Sequence, residues 1–455
     1  SHYIRLYRNG GQHSNVMEDL EQPNNSFAEG FFPSVDEGDL YKIAVWFEFG
    51  DDDRGFDAVG ATTERFLSPG VGLKPARYRW NWQTRGWQGS ANNLTNIFNL
   101  ITAANSTTDY VNRMQSVGDM EQWMRVFAFN RICGNWDSWT FSVGQNMYIY
   151  FQPGERAKLL PWDIDFVLGR GNGPTDPLGG GSLGGSNQDP VANAIYNEPS
   201  FRRALFRAYL DAINGPMLSA QYQPQLDARK AALQHNGFTV GASGDLRDPK
   251  PIATYIDARR TYLLGRINSA NRGFAITTSG GNNFTSSQPI ATLTGTAPFA
   301  VATIEINGVT YPVRWTDQST FSLVVPLSTA ANALTLVGKD RSGNPVSGGT
   351  DTITITYNGP VPKPEEFIVI NEIQYDSPNP GGSFVELFNR SPNIPFDLSG
   401  FVLEGVGYTF PSNAVIAPNS FLVLAKDRTE FALAYGATIN VFDEFPGSLD
   451  NGGET

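Results

Sequence analysis

The spacing of hydrophobic and polar positions changes character along this chain. Between Asp119 and Phe129 the apolar residues Met120, Trp123, Met124 and Phe127 recur at helical intervals. That spacing predicts a helix with those four side chains on its buried stripe. Tyr148-Ile149-Tyr150-Phe151 predicts a strand, Gln152-Pro153-Gly154-Glu155 a turn, and Ala157-Lys158-Leu159-Leu160 the returning strand. The run Gly179-Gly180-Gly181-Ser182-Leu183-Gly184-Gly185 reads as a mobile loop. Helical patterns resume at Phe201-Arg202-Arg203-Ala204-Leu205-Phe206 and before Arg259-Arg260-Thr261-Tyr262-Leu263-Leu264.

Beyond this the pattern turns to strands. Residues 279–288 are rich in Gly, Ser, Asn and Thr and read as a linker. Thr303-Ile304-Glu305-Ile306 and Val309-Thr310-Tyr311-Pro312-Val313 flank Asn307-Gly308, a strong hairpin signal. Phe321-Ser322-Leu323-Val324-Val325 and Thr352-Ile353-Thr354-Ile355-Thr356 add further short strands, which suggests a small immunoglobulin-like sandwich. Pro360-Val361-Pro362-Lys363-Pro364 is a stiffer linker, because proline favours an extended chain. A third β-rich part follows, with strands at Phe367–Ile370, Ser383–Phe388 and Ser420–Leu424. The expected domains are 1–272, mixed α+β, and two all-β sandwiches at 289–360 and 366–455.

Size and composition agree with several cores. A chain of 455 residues exceeds a single core, and at ~150 residues per domain three domains are expected. With 40% hydrophobic and 17% charged residues it is globular, and 12% aromatics supply large apolar area. A net charge of -12 repels phosphate backbones, so nucleic acid is not an expected partner. The same charge suits divalent cations or basic protein substrates. The single cysteine, Cys133, forms no intramolecular disulfide and no thiolate zinc cage. No apolar run reaches the ~18 to 20 residues that span a bilayer, so no transmembrane segment is expected. Both ends, at Ser1 and in the turn-like run Leu449–Glu454, read as those of a fragment of a longer polypeptide.

Candidate chemistry concentrates in one stretch of the first domain. It runs Gly134-Asn135-Trp136-Asp137-Ser138, Gln145-Asn146-Met147-Tyr148-Ile149-Tyr150, then Leu159-Leu160-Pro161-Trp162-Asp163-Ile164-Asp165-Phe166. Carboxylates beside Trp136, Trp162 and Phe166 need a cation or hydrogen-bond donors. Asp163 and Asp165 alternate along a segment read as extended, so their side chains are expected on one side. Two convergent carboxylates repel unless a cation or proton lies between them. Oxygen ligands without His or Cys suit magnesium, manganese or calcium. Phosphoryl transfer needs a carboxylate to take a hydroxyl proton, an Asn and an Asp for metal, and a cation for nucleotide phosphates. Asp137, Asn146, Asp163 or Asp165, and Lys42 can supply these parts. Plainer roles fit each residue alone: a solvated Asp-x-Asp loop, a helix-end cap at Asp137, a turn at Asn146, an exposed Lys42.

Taken in order, Asn-Trp-Asp-Ser, Asn-x-Tyr-x-Tyr, a hairpin and Leu-Leu-Pro-Trp-Asp-x-Asp-Phe resemble the signature of the CotH kinase family. Upstream, Tyr7-Arg8-Asn9-Gly10, Val16-Met17-Glu18-Asp19-Leu20-Glu21-Gln22 and Gly38-Asp39-Leu40-Tyr41-Lys42 are similar to that family's earlier blocks. The resemblance covers 1–272, with the family's earliest N-terminal stretch absent. It implies a distant protein-kinase-like fold that transfers phosphate from ATP, with magnesium or manganese, to Ser or Thr hydroxyls. It implies Asp137 as catalytic base, and Asn146, Asp163 and Asp165 around the metal. Lys42 would contact the nucleotide, with either Glu18 or Glu21 as the matching glutamate. Asp165-Phe166 is similar to the start of the usual kinase metal motif, although Phe166 stands where the family often has a small residue.

Val369-Ile370-Asn371-Glu372-Ile373, Phe384-Val385-Glu386-Leu387-Phe388-Asn389, Asp397-Leu398-Ser399-Gly400-Phe401 and Ile416–Leu424 resemble a lamin-tail domain. That resemblance implies an immunoglobulin-like sandwich of bacterial exported proteins, whose last strands lie beyond Thr455. Glu372, Glu386 and Asp397 read as caps and turn residues rather than metal ligands. Two functions follow as expectations. One is a secreted or cell-surface kinase acting on surface or extracellular proteins. The other is a non-catalytic structural or adhesive protein that keeps a kinase-like scaffold and assembles into a larger surface structure.

Overall fold

A computed structural model describes residues 2–32, 38–49, 56–68, 70, 72–87, 89–141, 144–170, 172–176, 189–237, 250–328, 330–379, 381–411, 414–436 and 439–449. The glycine-rich run expected as a loop at 179–185 lies outside the described residues. The chain divides into two compact units, Ser1–Asn197 with Asp211–Arg266, and Glu198–Leu210 with Ile267–Thr455. The first mixes helices and sheets and the second is rich in strands. No helix among the described residues is long and apolar enough to cross a membrane.

In the first unit, four antiparallel strands lie in the order Lys158–Pro161, Met147–Phe151, Asp39–Ile43, Trp82–Gly86. Register puts Tyr41, Ile43, Trp82, Met147, Ile149 and Leu159 on one face, and all six are fully buried. The opposite face carries Leu40, Lys42, Tyr148, Tyr150 and Leu160. There Leu40, Tyr148 and Tyr150 pack with Ala28, and Phe32 and Trp162 close over them.

The helix expected from the Met120 to Phe127 stripe spans Met120–Cys133, and all four stripe residues are buried. Asp119 caps its start by accepting from the Gln122 amide N–H. The helix docks through polar as well as apolar contacts. Gln122 donates to the Leu159 carbonyl at 2.7 Å and accepts from the Leu159 N–H at 3.0 Å, and Trp123 Nε1 donates to the Ala157 carbonyl. Trp139 fills the remaining space, edge-on to Trp82, Trp123 and Phe127 at 5.9, 6.1 and 6.3 Å. Aromatic rings favour this arrangement because a positive edge meets a negative face.

In the second unit two sheets enclose one core. One has the order Ala275–Ile276, Ile290–Thr296, Thr320–Pro326, Arg314–Trp315. The other runs Phe284–Thr285, Pro345–Tyr357, Ala330–Lys339, Thr303–Ile306, Val309–Tyr311. Leu293, Ile304, Phe321, Leu336 and Ile355 lie between them. The Asn307-Gly308 hairpin forms as expected, with both residues at positive φ (51° and 87°), the requirement of a tight two-residue turn. The run 279–288 differs from its reading as a linker. Its Phe284–Thr285 pairs in parallel with the Pro345–Tyr357 strand, and Asn283 accepts from the Thr354 N–H. Short polar residues make these side-chain bonds to backbone, so a composition typical of linkers is here sheet edge.

Farther along the chain Ile368–Gln374, Phe384–Asn389, Phe421–Ala425 and Val441–Glu444 form one sheet in that order. Alternation splits its two faces. Val385, Leu387, Leu422 and Leu424 join Phe396 and Phe410 in one core, while Phe384, Val423, Ala425 and Val441 join Phe431 of the helix Arg428–Tyr435 in another. Asp397 accepts from the Ser399 N–H and is a turn residue, as expected, whereas Glu372 and Glu386 are neither caps nor turn residues but face each other in register inside paired strands.

Arg203 is the most demanding group of this unit. It is fully buried, donates to the carbonyls of Val301, Ala297, Gln318 and Pro298, and lies 3.6 Å over the Trp315 ring. A buried cation is tolerated only with such complete pairing. Arg203→Met keeps the bulk and orphans the carbonyls of Ala297, Val301 and Gln318, each at a cost of about 1 to 3 kcal/mol, while the Pro298 carbonyl keeps the Val301 N–H. Thermal unfolding of the second unit should shift down by several degrees or more, and an unchanged transition would contradict this account of Arg203.

Candidate functional site

The site grows out of the C-terminal end of the Met120–Cys133 helix. Helix ends leave carbonyls without intrahelical partners, and here each finds one. Gly134 takes the left-handed conformation (φ 72°), and the Asn135 N–H returns to the Asn130 carbonyl at 2.8 Å. Arg259 donates to the Arg131 carbonyl, the Tyr255 hydroxyl to that of Ile132, and the Leu168 N–H to that of Cys133. A Cβ at residue 134 would stand 2.8 Å from the Tyr255 hydroxyl, so glycine is required for space as well as conformation.

Beneath the following turn lies a buried polar network. Asn135 donates to Asn130 Oδ1 at 3.0 Å, and Asn130 donates to Thr140 Oγ1 at 2.7 Å. Ser138 bonds Thr140 and donates to the Asn135 carbonyl. Asn135 Oδ1 is buried without a partner among the described residues, and the remaining bonds still fix one arrangement, because breaking any of them strands a further buried polar atom. The chain then returns against Ala61, whose N–H donates to the Gly144 carbonyl at 2.9 Å. A Cβ on Gly144 would meet the Ala61 nitrogen at 2.3 Å. The Trp139 N–H donates to the Gln145 carbonyl, and the Trp162 N–H to that of Asn146. These contacts fasten the three polar blocks of the sequence to one another.

Asp137 stands on this platform, half-buried. Gln145 Nε2 donates to its Oδ1 at 2.5 Å and Asn146 Nδ2 to its Oδ2 at 2.9 Å. Its carboxyl is held above the ordinary 3.8, first by burial and then by the negative charges of Asp163 and Asp165, against the lowering effect of the two amides. Asn146 is buried at positive φ (57°), and its amide oxygen has no partner among the described residues. Asp163 and Asp165 are exposed. The segment carrying them departs from its reading as an extended run: Asp163 sits at φ 52°, so the chain leaves the sheet after Pro161 and the two-residue alternation does not apply. Nor are these two carboxylates enclosed by aromatics, since Phe166 is itself exposed and Trp162 packs edge-on to Tyr148 at 5.5 Å.

Lys42 is half-buried on the Asp39–Ile43 strand, in register with Tyr148 on one side and Gln83 on the other. Its affinity for a proton is lowered by burial and by Arg85, and raised by Asp163. The nearby charges are therefore Arg85 and Asp163. Glu18 lies in the strand Gly11–Asp19, with its side chain outside the described residues, and Glu21 is exposed just beyond that strand. Electrostatic contact thus links Asp137, Asp163 and Asp165, and links Asp163 to Lys42. Two contributors escape a sequence reading. Gln145 adjoins Asn146 in a block already singled out, so its amide was within reach. Arg85 carries no motif, and only strand pairing brings it near Lys42.

The raised Asp137 carboxyl makes a statement about pH. Its folded value lies above its unfolded one, so its contribution favours the fold at pH below 3.8 and is lost as pH rises through the folded value. Asp137→Asn carries no such loss. The stability of wild type relative to Asp137→Asn should therefore fall as pH increases from about 3 towards neutrality, read from urea midpoints. A difference that stays flat or grows with pH would contradict the arrangement.

Comparison with known proteins places two parts of the chain in families. The Lamin Tail Domain family matches residues 362–455. No curated protein matches the chain. Among solved structures, the S-layer protein rSbsC(31-844) is similar over 51% of this chain and 33% of its own, with 15% identity and a TM-score of 0.13. The chain thus spans about a third of that structure's length, and a likeness this low carries no argument. The family described as CotH kinase protein matches residues 2–242, more than half of the 455. That match contains the whole turn that carries Asp137, its two amide donors, Asp163, Asp165 and Lys42, and by it the chain belongs to the CotH kinase protein family.

Proposed function

We propose that the first unit is a phosphotransferase that passes the terminal phosphoryl group of ATP to a Ser or Thr hydroxyl of a protein. The observation that carries this reading is Asp137: a carboxylate oriented by two amides, short of water, and with raised proton affinity beside two further acids. A base needs to accept a proton readily near working pH, and burial with like charges moves a carboxylate that way. In the proposed step the hydroxyl proton passes to Asp137. The hydroxyl oxygen bonds the γ-phosphorus as the bond to the β,γ-bridging oxygen breaks, and ADP leaves. Phosphoryl transfer asks the protein mainly for position and charge, and a rigid base suits that demand.

The donor set near Asp137 is all oxygen. Asp163, Asp165 and the Asn146 amide oxygen suit magnesium or manganese, whose role when bound would be to neutralise phosphate charge. Among the described residues no three His, Cys, Asp or Glu side chains converge as a cage. Magnesium is commonly held by one or two carboxylates together with substrate phosphates, and that donor pattern fits here. Lys42 would take the role of nucleotide contact.

We read the two β-rich parts as immunoglobulin-like sandwiches that present the first unit outside the cell or at its surface. Two sheets about one core and the Lamin Tail Domain match support this, and surface or extracellular proteins are the proposed substrates. A second reading, a structural or adhesive scaffold without turnover, is favoured by the exposure of Asp163 and Asp165.

Incubation with radiolabelled ATP, magnesium or manganese, and candidate surface proteins separates the two. Wild type should label substrate. Asp137→Asn, which keeps shape and loses charge, should bind ATP with metal yet transfer about 10²-fold or more slowly. Equal labelling by both proteins removes Asp137 as base. Nucleotide binding without labelling by either favours the scaffold.

A further inference from the structure

The proposed phosphotransfer leaves one charged group unused. Arg85 lies on the strand Trp82–Gly86, next to the irregularity in its pairing with the Asp39–Ile43 strand. Gln83 on the same strand is in register with Lys42. Its amide is oriented, because Nε2 donates to the Trp80 carbonyl at 3.1 Å, which turns Oε1 to accept from Arg85 Nη2 at 2.9 Å. Arg85 is thereby steered by the residue beside Lys42. Its Nε is shielded from solvent and has no partner among the described residues.

Two cations side by side repel, and partial burial increases the cost. The effect is visible at Lys42, whose ammonium is disfavoured by burial and by Arg85 and favoured only by Asp163. Among the described residues neither cation forms an ion pair with a carboxylate. An anion with several oxygens would relieve the repulsion and supply acceptors to both. A planar guanidinium with unused N–H groups suits phosphate oxygens, and an ammonium serves as a point charge beside it.

We propose that Arg85 and Lys42, aligned through Gln83, form a paired seat for the polyphosphate of a nucleotide, with Arg85 a binding residue for phosphate oxygens. The inference rests on the phosphotransfer reading for the identity of the anion. It stands on this chain's own strand register for the seat.

Isothermal titration of the full chain with inorganic tripolyphosphate alone, with ATP and magnesium, and with adenosine tests the seat. Arg85→Gln and Lys42→Gln should each weaken tripolyphosphate and ATP about tenfold or more, and leave adenosine unchanged. Arg85→Lys keeps the charge without the fork, and should bind tripolyphosphate more weakly than wild type and more tightly than Arg85→Gln. Should Arg85→Gln fail to fold by thermal melting, Arg85→Lys against wild type decides. Arg85 variants that bind tripolyphosphate as tightly as wild type, or that lose adenosine equally, would overturn the seat. So would a wild type that binds neither tripolyphosphate nor ATP. Tripolyphosphate binding that depends on Arg85, in a protein that never transfers phosphate, supports the seat and removes the kinase reading alone.

Discussion

A carboxylate withdrawn from water beside two others is unstable unless something directs it, and Asp137 is directed by Gln145 and Asn146. Much of the first unit serves to keep those three side chains in one place. Gly134 ends the helix and lets the chain double back. The Asn130, Asn135, Ser138 and Thr140 network holds the turn from below. Gly144 lets the returning segment touch Ala61, and backbone bonds at Trp139 and Trp162 bring the Gln145-Asn146 pair and the Asp163 segment to the same turn. Arg259 and Tyr255 close the helix end from a distant part of the sequence. The cost of burying charge sets the geometry, and the fold supplies donors to meet it.

The same constraint orders the electrostatics around Asp137. Asp163 and Asp165 act on Asp137, Arg85 acts on Lys42, and Asp163 acts on both Asp137 and Lys42. Arg203 in the second unit is the contrasting case. Its charge is wholly enclosed by carbonyls and an aromatic face, so it holds structure together and is not offered to a ligand.

The legible part of the sequence was the part governed by local pattern. The stripe Met120, Trp123, Met124, Phe127 gave the helix and its buried face, and alternation gave the Tyr148–Phe151 hairpin and the strands after residue 290. Asn307-Gly308 needed only two residues to announce its turn. What was not legible depended on contacts far apart in the chain. Asp163 in a left-handed conformation defeats any argument from alternation, because one residue off the strand breaks the period. The run 279–288 has a linker's composition, and its place in a sheet follows from partners more than sixty residues away, such as Thr354. Arg85 near Lys42 is a consequence of strand pairing. The CotH blocks, by contrast, were readable as an ordered set, and the family match covers them.

The central claim is that Asp137 takes the proton of the acceptor hydroxyl. The pH dependence of kcat/KM for phosphate transfer addresses it most directly, since that profile reports ionisations of the free enzyme's base. For wild type the account predicts a rate that rises with pH through one ionisation above the ordinary carboxylate value of 3.8, where burial and its acidic neighbours hold Asp137. In Asp137→Asn that limb should vanish and leave a low rate flat across the same range. A variant that keeps the full limb and the wild-type rate would contradict the account.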